Sequence, residues 1–196
     1  MNIYGRDSNG RLYADHFFIG GGQGGSAHGD GKSALLYPTS AANTSIELME
    51  TRAPVLVVEK TLVVDSGGAG KHRGGLGVRT RLRKLHDDGL PTLFSVYPEG
   101  AGIATDGLFG GHPGGGVRGV VLDRAGNVVH DCGTGELVTL TTTERMVEVC
   151  LAGGSGFGDP RERTCSGVED DVANGYVSED AATSVYGVTV TASAAE

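Results

Sequence analysis

The clearest pattern in the chain is an alternation of apolar and charged positions over residues 76–85. Leu76, Val78, Thr80 and Leu82 fall on one side, Arg79, Arg81 and Arg83 on the other. A period of two predicts a half-buried β-strand, because successive side chains of a strand point to opposite faces. The Val- and Leu-rich run 55–65, closed by Ser66-Gly67-Gly68, predicts a second strand. Residues 93–97 read as a short strand, and 117–130 as a hairpin turning at Arg124-Ala125-Gly126. Residues 136–143 and 146–151 supply two more. Helices are few and short. Thr44 and Glu47 have capping-box spacing, which starts a helix that Pro54 must end. Ser166 with Glu169, and then Ser178, start two late helices, with Gly175 and Gly187 where C-terminal caps belong. The pattern predicts an α+β fold, mainly β: antiparallel sheets of short strands, Gly-rich loops and two short C-terminal helices. Residues 1–15 read as a polar lead-in, 16–163 as a Gly-rich β domain, 164–190 as a short helical C-terminal element and 191–196 as a tail.

Composition narrows the picture. Glycine fills 35 of 196 positions, far above its usual share of roughly 7%. Only 6 prolines and no three-residue period exclude collagen. A long helical bundle is excluded too, since each interior helical Gly costs about 1 kcal/mol relative to Ala. The net charge is −8, from 16 Lys and Arg against 24 Asp and Glu. Such a chain without a basic block is a poor partner for a phosphate polyanion, so no nucleic-acid partner is expected. No apolar run approaches the roughly 18 residues of a membrane helix, and the polar N-terminus has no signal-peptide core. No membrane partner is expected. Cys132, Cys150 and Cys165 form no CxxC pair and are expected as reduced thiols in a cytoplasmic protein.

Single motifs carry little chemistry. The arginines at 79, 81 and 83 make a basic stripe for an anion, or pair with acidic neighbours, which is the expected reading. Gly20-x-Gly22-x-x-Gly25 and Gly114-x-Gly116-x-x-Gly119 fit the dinucleotide pattern but lack its strand-loop-helix context. Gly31-Lys32-Ser33 ends like a phosphate loop, yet Ser26 stands where that loop needs Gly. Ser155 misses the serine-elbow pattern because Phe157 replaces the last Gly. Asp15-His16, His28-Gly29-Asp30 and His130-Asp131 are the nearest His and carboxylate groupings. None has the spacing of a helical zinc motif, and no metal ligand is expected in this chain. Glu47 and Glu50 share a helix face. Glu47 is expected as a cap and Glu50 as solvated or paired with Arg52.

Taken in order, longer segments are more specific. They are Gly20-Gly-Gly-Gln-Gly-Gly, SAANTSIELMETRAPVLV (40–57), DSGGAGKHRGGLGVRT (65–80), GLFGGHPG (107–114), GGSGFGDPRER (153–163) and NGYVSEDAATSVYGV (174–188). Together they resemble the C-terminal part of the hydantoinase B/5-oxoprolinase family over residues 13–190. The resemblance implies a subunit of an ATP-dependent cyclic-amide hydrolase acting on hydantoin, N-methylhydantoin, 5-oxoproline or a related lactam. Relatives in that family couple ATP to carboxylation of acetone or acetophenone. An A-type subunit phosphorylates the substrate and the B-type subunit completes the reaction.

The family's B-type subunits are several times longer, so the chain is expected as a separately encoded C-terminal piece or a fragment, inactive alone. Its implied partners are an A-type ATP-binding subunit and an N-terminal B-type subunit. ATP and Mg, and a divalent metal in metal-dependent relatives, are expected in those partners and none in this chain. The resemblance carries over Asn43, Thr44, Glu50 and Arg52 before the first long strand, and Asp65, Arg73, Gly74 and Gly75 in the Gly-rich signature. Asp65 and Arg73 are expected to pair across that turn; the alternative is a substrate channel or subunit interface. The alternative functions are a non-catalytic assembly subunit, or a subunit of an ATP-dependent ketone carboxylase.

Overall fold

The computed structural model describes residues 1–36, 45–97 and 102–190. Nine strands form two antiparallel sheets among these residues. One sheet orders β2 (Leu12–His16), β1 (Asn2–Arg6), β5 (Thr92–Val96) and β8 (Glu136–Leu140) side by side. The other orders β3 (Val55–Leu62), β4 (Val78–Lys84), β9 (Met146–Cys150), β6 (Arg118–Leu122) and β7 (Val128–Asp131). One apolar core joins them: Ile3, Phe94, Val96, Val138 and Leu140 from the first sheet meet Val55, Leu82, Val121, Val147 and Val149 from the second. Phe17 and Met49 complete it.

The predicted strands are found, most cleanly β4. Its side chains alternate buried and half-buried along the whole strand, as the period of two requires. Lys84 ends this strand almost fully buried, and its Nζ is satisfied by Asp88 at 2.7 Å and by the Leu90 carbonyl. The β6–β7 hairpin turns where expected. Asp123 Oδ1 accepts from Asn127 N at 2.8 Å, and Gly126 takes a left-handed φ of 88°.

Three expectations are corrected. Residues 1–15 are not a lead-in but the β1–β2 hairpin, whose strand β1 pairs with β5 and sends Ile3 into the core. The first helix, α1 (Ile46–Arg52), is capped by Ser45, whose side chain accepts from Leu48 N. Thr44, read as the cap, lies outside the described residues, as do Asn43 and the tail at 191–196. The helix α2 (Cys165–Ala173) is capped by Thr164, two residues earlier than Ser166. The third helix, α3 (Glu179–Ala181), starts at Ser178 as predicted and runs into a wider π turn, Ala182–Tyr186. Gly175 and Gly187 follow these helices with φ of 69° and 73°. Val168, Val177, Ala182 and Tyr186 form a second small core under the C-terminal element.

Between the sheets' ends and this element lies a bundle of glycine segments that forms neither helix nor sheet. Residues 21–25, 30–35, 66–77, 107–115 and 152–158 run side by side, joined by backbone hydrogen bonds. Gly22 N donates to Ala152 O, Gly75 N to Gln23 O and Gly154 N to Gly75 O, each at 2.8 Å. The close packing explains the composition. A Cβ at Gly74 would overlap the Gly154 carbonyl, and one at Gly154 would overlap the Gln23 carbonyl. No helix among the described residues is long and apolar enough to cross a membrane.

Candidate functional site

A cluster of four charged side chains lies where the glycine bundle meets the C-terminal element. Asp30 comes from the first glycine loop, Arg73 from the signature at 65–80, Arg163 from the segment before α2, and Asp171 from α2 itself. Arg163 holds Asp30 with two hydrogen bonds, Nη1 to Oδ1 at 2.8 Å and Nη2 to Oδ2 at 2.7 Å. Its Nη2 also lies 2.8 Å from Asp171 Oδ2. That oxygen sits 3.3 Å from Arg73 Nε on its other side. Both contacts to it are ion pairs rather than aligned hydrogen bonds.

The remaining groups lock this arrangement. Arg73 N donates to Asp30 Oδ1 at 2.8 Å, and Arg73 Nη1 to Gly74 O at 2.6 Å. The Arg73 guanidinium stacks over the Tyr176 ring, 5.1 Å from its centroid. Burial alone would raise the Asp30 carboxyl. The Arg163 hydrogen bonds and charge outweigh it, with help from Arg73, and hold Asp30 below its ordinary value. Burial pushes Tyr186, beside the same network, up to about 12.

Asp65 and Arg73, expected to pair, do not. Asp65 Oδ1 accepts from Ser178 N at 2.8 Å, and Asp65 N donates to Tyr176 O at 3.1 Å. Asp65 takes a φ of 60°, a conformation that Asp tolerates better than most residues. Both residues of the expected pair therefore reach separately to the C-terminal element. Gly74 and Gly75 line the bundle interior, where backbone fills the space that a side chain would need.

Glu50 and Arg52 belong elsewhere. They line a cleft of about 580 Å³ between α1 and the β1–β2 hairpin, with Asp7, Arg11 and Leu85. They do not pair with each other there. Glu50 Oε1 accepts from Val57 N at 2.8 Å, and Arg52 lies 3.7 Å from Asp15.

Two arginines of the β4 stripe, Arg79 and Arg81, pair with acidic neighbours as expected. Glu59 and Glu148 stand opposite Arg81 on the two flanking strands. Arg81 reaches them at 2.9 and 2.6 Å, and Arg79 at 3.6 and 3.8 Å. The first glycine loop does not fit a nucleotide phosphate either. Such a cradle needs free N–H groups, but Gly22, Gln23, Gly25 and Gly31 all donate to backbone carbonyls. Ser33 Oγ accepts from Leu76 N at 2.9 Å, a bond within the fold.

Sequence reading missed Asp30, Arg163 and Asp171 as a unit. The visible signals were separate: Asp30 in the His28-Gly29-Asp30 grouping, and the charged run after Gly158, where Arg163 closes GDPRER.

Comparison with known proteins identifies the family and finds the same fold. The family model described as Hydantoinase B/oxoprolinase matches residues 1–160. Caprolactamase subunit beta of Pseudomonas jessenii is 37% identical over 154 residues, covering 74% of this chain and 25% of that protein. The acetone carboxylase alpha subunit of Xanthobacter autotrophicus is 30% identical over 203 residues, covering 86% of this chain and 26% of that protein. The crystal structure of the ATP-dependent caprolactamase from Pseudomonas jessenii superposes with a TM-score of 0.78 at 31% identity. It covers 99% of this chain and 34% of the solved one. The chain thus spans between 11% and 28% of the length of these and other curated relatives it matches.

Proposed function

This chain belongs to the hydantoinase B/oxoprolinase family, and from that premise we propose that it is the C-terminal B-type portion of an ATP-dependent cyclic-amide hydrolase. The observation that carries the proposal is the glycine bundle. The signature at 65–80 runs through it, and the fold that contains it superposes on the ATP-dependent caprolactamase over 99% of the chain. A lactam or hydantoin is the substrate class. Phosphorylation of the amide oxygen makes the carbonyl carbon a far better electrophile. Water adds there, the C–N bond breaks with the amine leaving, and the remaining acyl phosphate is hydrolysed to carboxylate and phosphate. This accounts for the use of ATP in opening an unactivated ring.

In this reading the chain frames the catalytic assembly rather than supplying its reacting groups. The charges of Asp30, Arg73, Arg163 and Asp171 are spent on one another, and the N–H groups of Gly22, Gln23, Gly25 and Gly31 are spent on backbone. ATP and Mg are assigned in this reading to an A-type partner subunit. An N-terminal B-type partner supplies the rest of the active site and any divalent metal used in the reaction. Arg52, Glu50 and the cleft around them are assigned to the partner interface. Asp65, Arg73, Gly74 and Gly75 hold the frame itself. The assembly works in the cytoplasm.

Purification of the tagged chain from its own host, with its native mass and co-purifying subunits determined, tests the proposal. An ATP-binding subunit and a B-type partner in the same particle are expected. A folded chain that emerges alone contradicts it. ATP hydrolysis by the particle that depends on bicarbonate, rather than on a lactam, would move the assignment to a ketone carboxylase.

A further inference from the structure

The loop that carries the chain from one sheet to the other gathers three different metal-binding side chains. His130 lies on β7, the edge strand of the five-stranded sheet, and Glu136 begins β8, the edge strand of the four-stranded one. Cys132 stands between them, two residues after His130. One ligand atom from each of the three lies within 4.8 Å of the other two. His130 Nε2 is 2.6 Å from Glu136 Oε1. The backbone fixes the set: Cys132 N donates to Gly119 O at 2.9 Å, and Gly133 N to Glu136 Oε2 at 2.7 Å. By sequence His130 pairs with Asp131, but Asp131 turns to Arg118, 3.4 Å away.

We propose that His130, Cys132 and Glu136 bind a zinc ion that clips the edges of the two sheets together, with water as fourth ligand. The site is independent of the chain's place in a hydrolase and differs from the expectation of no metal in this chain. Imidazole, thiolate and carboxylate together suit a borderline-soft divalent ion, and zinc accepts all three in a tetrahedron. Bonds of about 2.0–2.3 Å put tetrahedral donors roughly 3.3–3.7 Å apart. His130 and Glu136 need to separate by less than about 1 Å to reach this spacing. Both are partly exposed and have room to do so. One thiolate and one carboxylate also neutralise the ion.

The test uses the full chain, stripped with chelator and titrated with zinc and then with cobalt(II). One zinc per chain is expected, together with a cobalt–thiolate charge-transfer absorption and a rise in melting temperature on zinc addition. Cys132→Ser should abolish the absorption and weaken zinc at least about 100-fold, whereas Cys165→Ser should leave both intact. His130→Gln, at a half-exposed position, should weaken zinc as strongly without touching the core, and so covers a folding failure of the cysteine variant. A wild-type chain without the absorption overturns the proposal. So does an absorption that survives Cys132→Ser, or zinc binding unchanged in His130→Gln.

Discussion

Arg163 and Asp30, 133 residues apart in sequence, meet as a two-pronged ion pair at 2.8 and 2.7 Å. The pair continues through Asp171 to Arg73 and ties the C-terminal element to the glycine bundle. Asp171 is the shared anion, and its side chain is only 7% exposed. Asp171→Ala leaves two buried guanidiniums facing each other, and removal of one partner from a buried pair costs about 3–5 kcal/mol. Urea unfolding should show that loss. Arg124→Ala, which removes an exposed pair with Glu144, should stay within about 0.5 kcal/mol of the wild type.

The same network sets an acid limit. Asp30 is held below its ordinary value of 3.8. A depressed carboxyl contributes stability above its unfolded value and loses it as pH falls through the folded one. Melting curves of the wild type and Asp30→Asn should therefore differ by a constant gap above about pH 5. The gap should close as pH falls below 3.8. A gap that persists at the lowest pH at which both still fold would rule out the Asp30 charge as its source.

An alkaline limit follows from Tyr186. Its phenol is raised from 10 to about 12 by burial first of all. The unfolded chain then ionises this residue while the folded one does not, so stability present below pH 10 is lost between those values. The loss amounts to about 2–3 kcal/mol at its end. Tyr186→Phe should flatten that part of the stability profile, measured by denaturant midpoints from pH 9 upward.

Glycine in the bundle should be irreplaceable where backbones touch and free where they do not. Gly74→Ala drives a methyl into the Gly154 carbonyl, while Gly116→Ala meets nothing within 4 Å. Overpacking against backbone costs at least about 1–3 kcal/mol, and Gly74→Ala should lower the melting temperature accordingly or prevent folding. Gly116→Ala should melt within a degree or two of the wild type. Equal effects of the two would mean that the bundle tolerates expansion.

β4 was legible because it buries one face in a two-residue rhythm, as Leu82 and Arg81 show, whereas β6 and β9 were legible as short apolar runs buried almost continuously. The first hairpin was not, because its outer strand β2 has no buried residue, and β1 buries only Ile3. Segment 65–80 was legible as a family signature, yet its partners were not. Asp65 and Arg73 look like a local pair in sequence, but each finds its partner about a hundred residues away, at Ser178 and Asp171. No periodicity encodes such a contact. The caps were displaced by one or two residues because neighbouring Ser and Thr compete for the same free N–H groups: Ser45 beside Thr44, and Thr164 before Ser166.

If the chain completes a lactam-opening enzyme as proposed, ring opening requires it. The direct measurement is ATP-dependent ring opening of caprolactam, 5-oxoproline and hydantoin by the reconstituted assembly, with and without this chain. Turnover of at least one of these is expected only when the chain is present, with ATP consumed alongside. Equal turnover by the partners without it would rule out the proposed role.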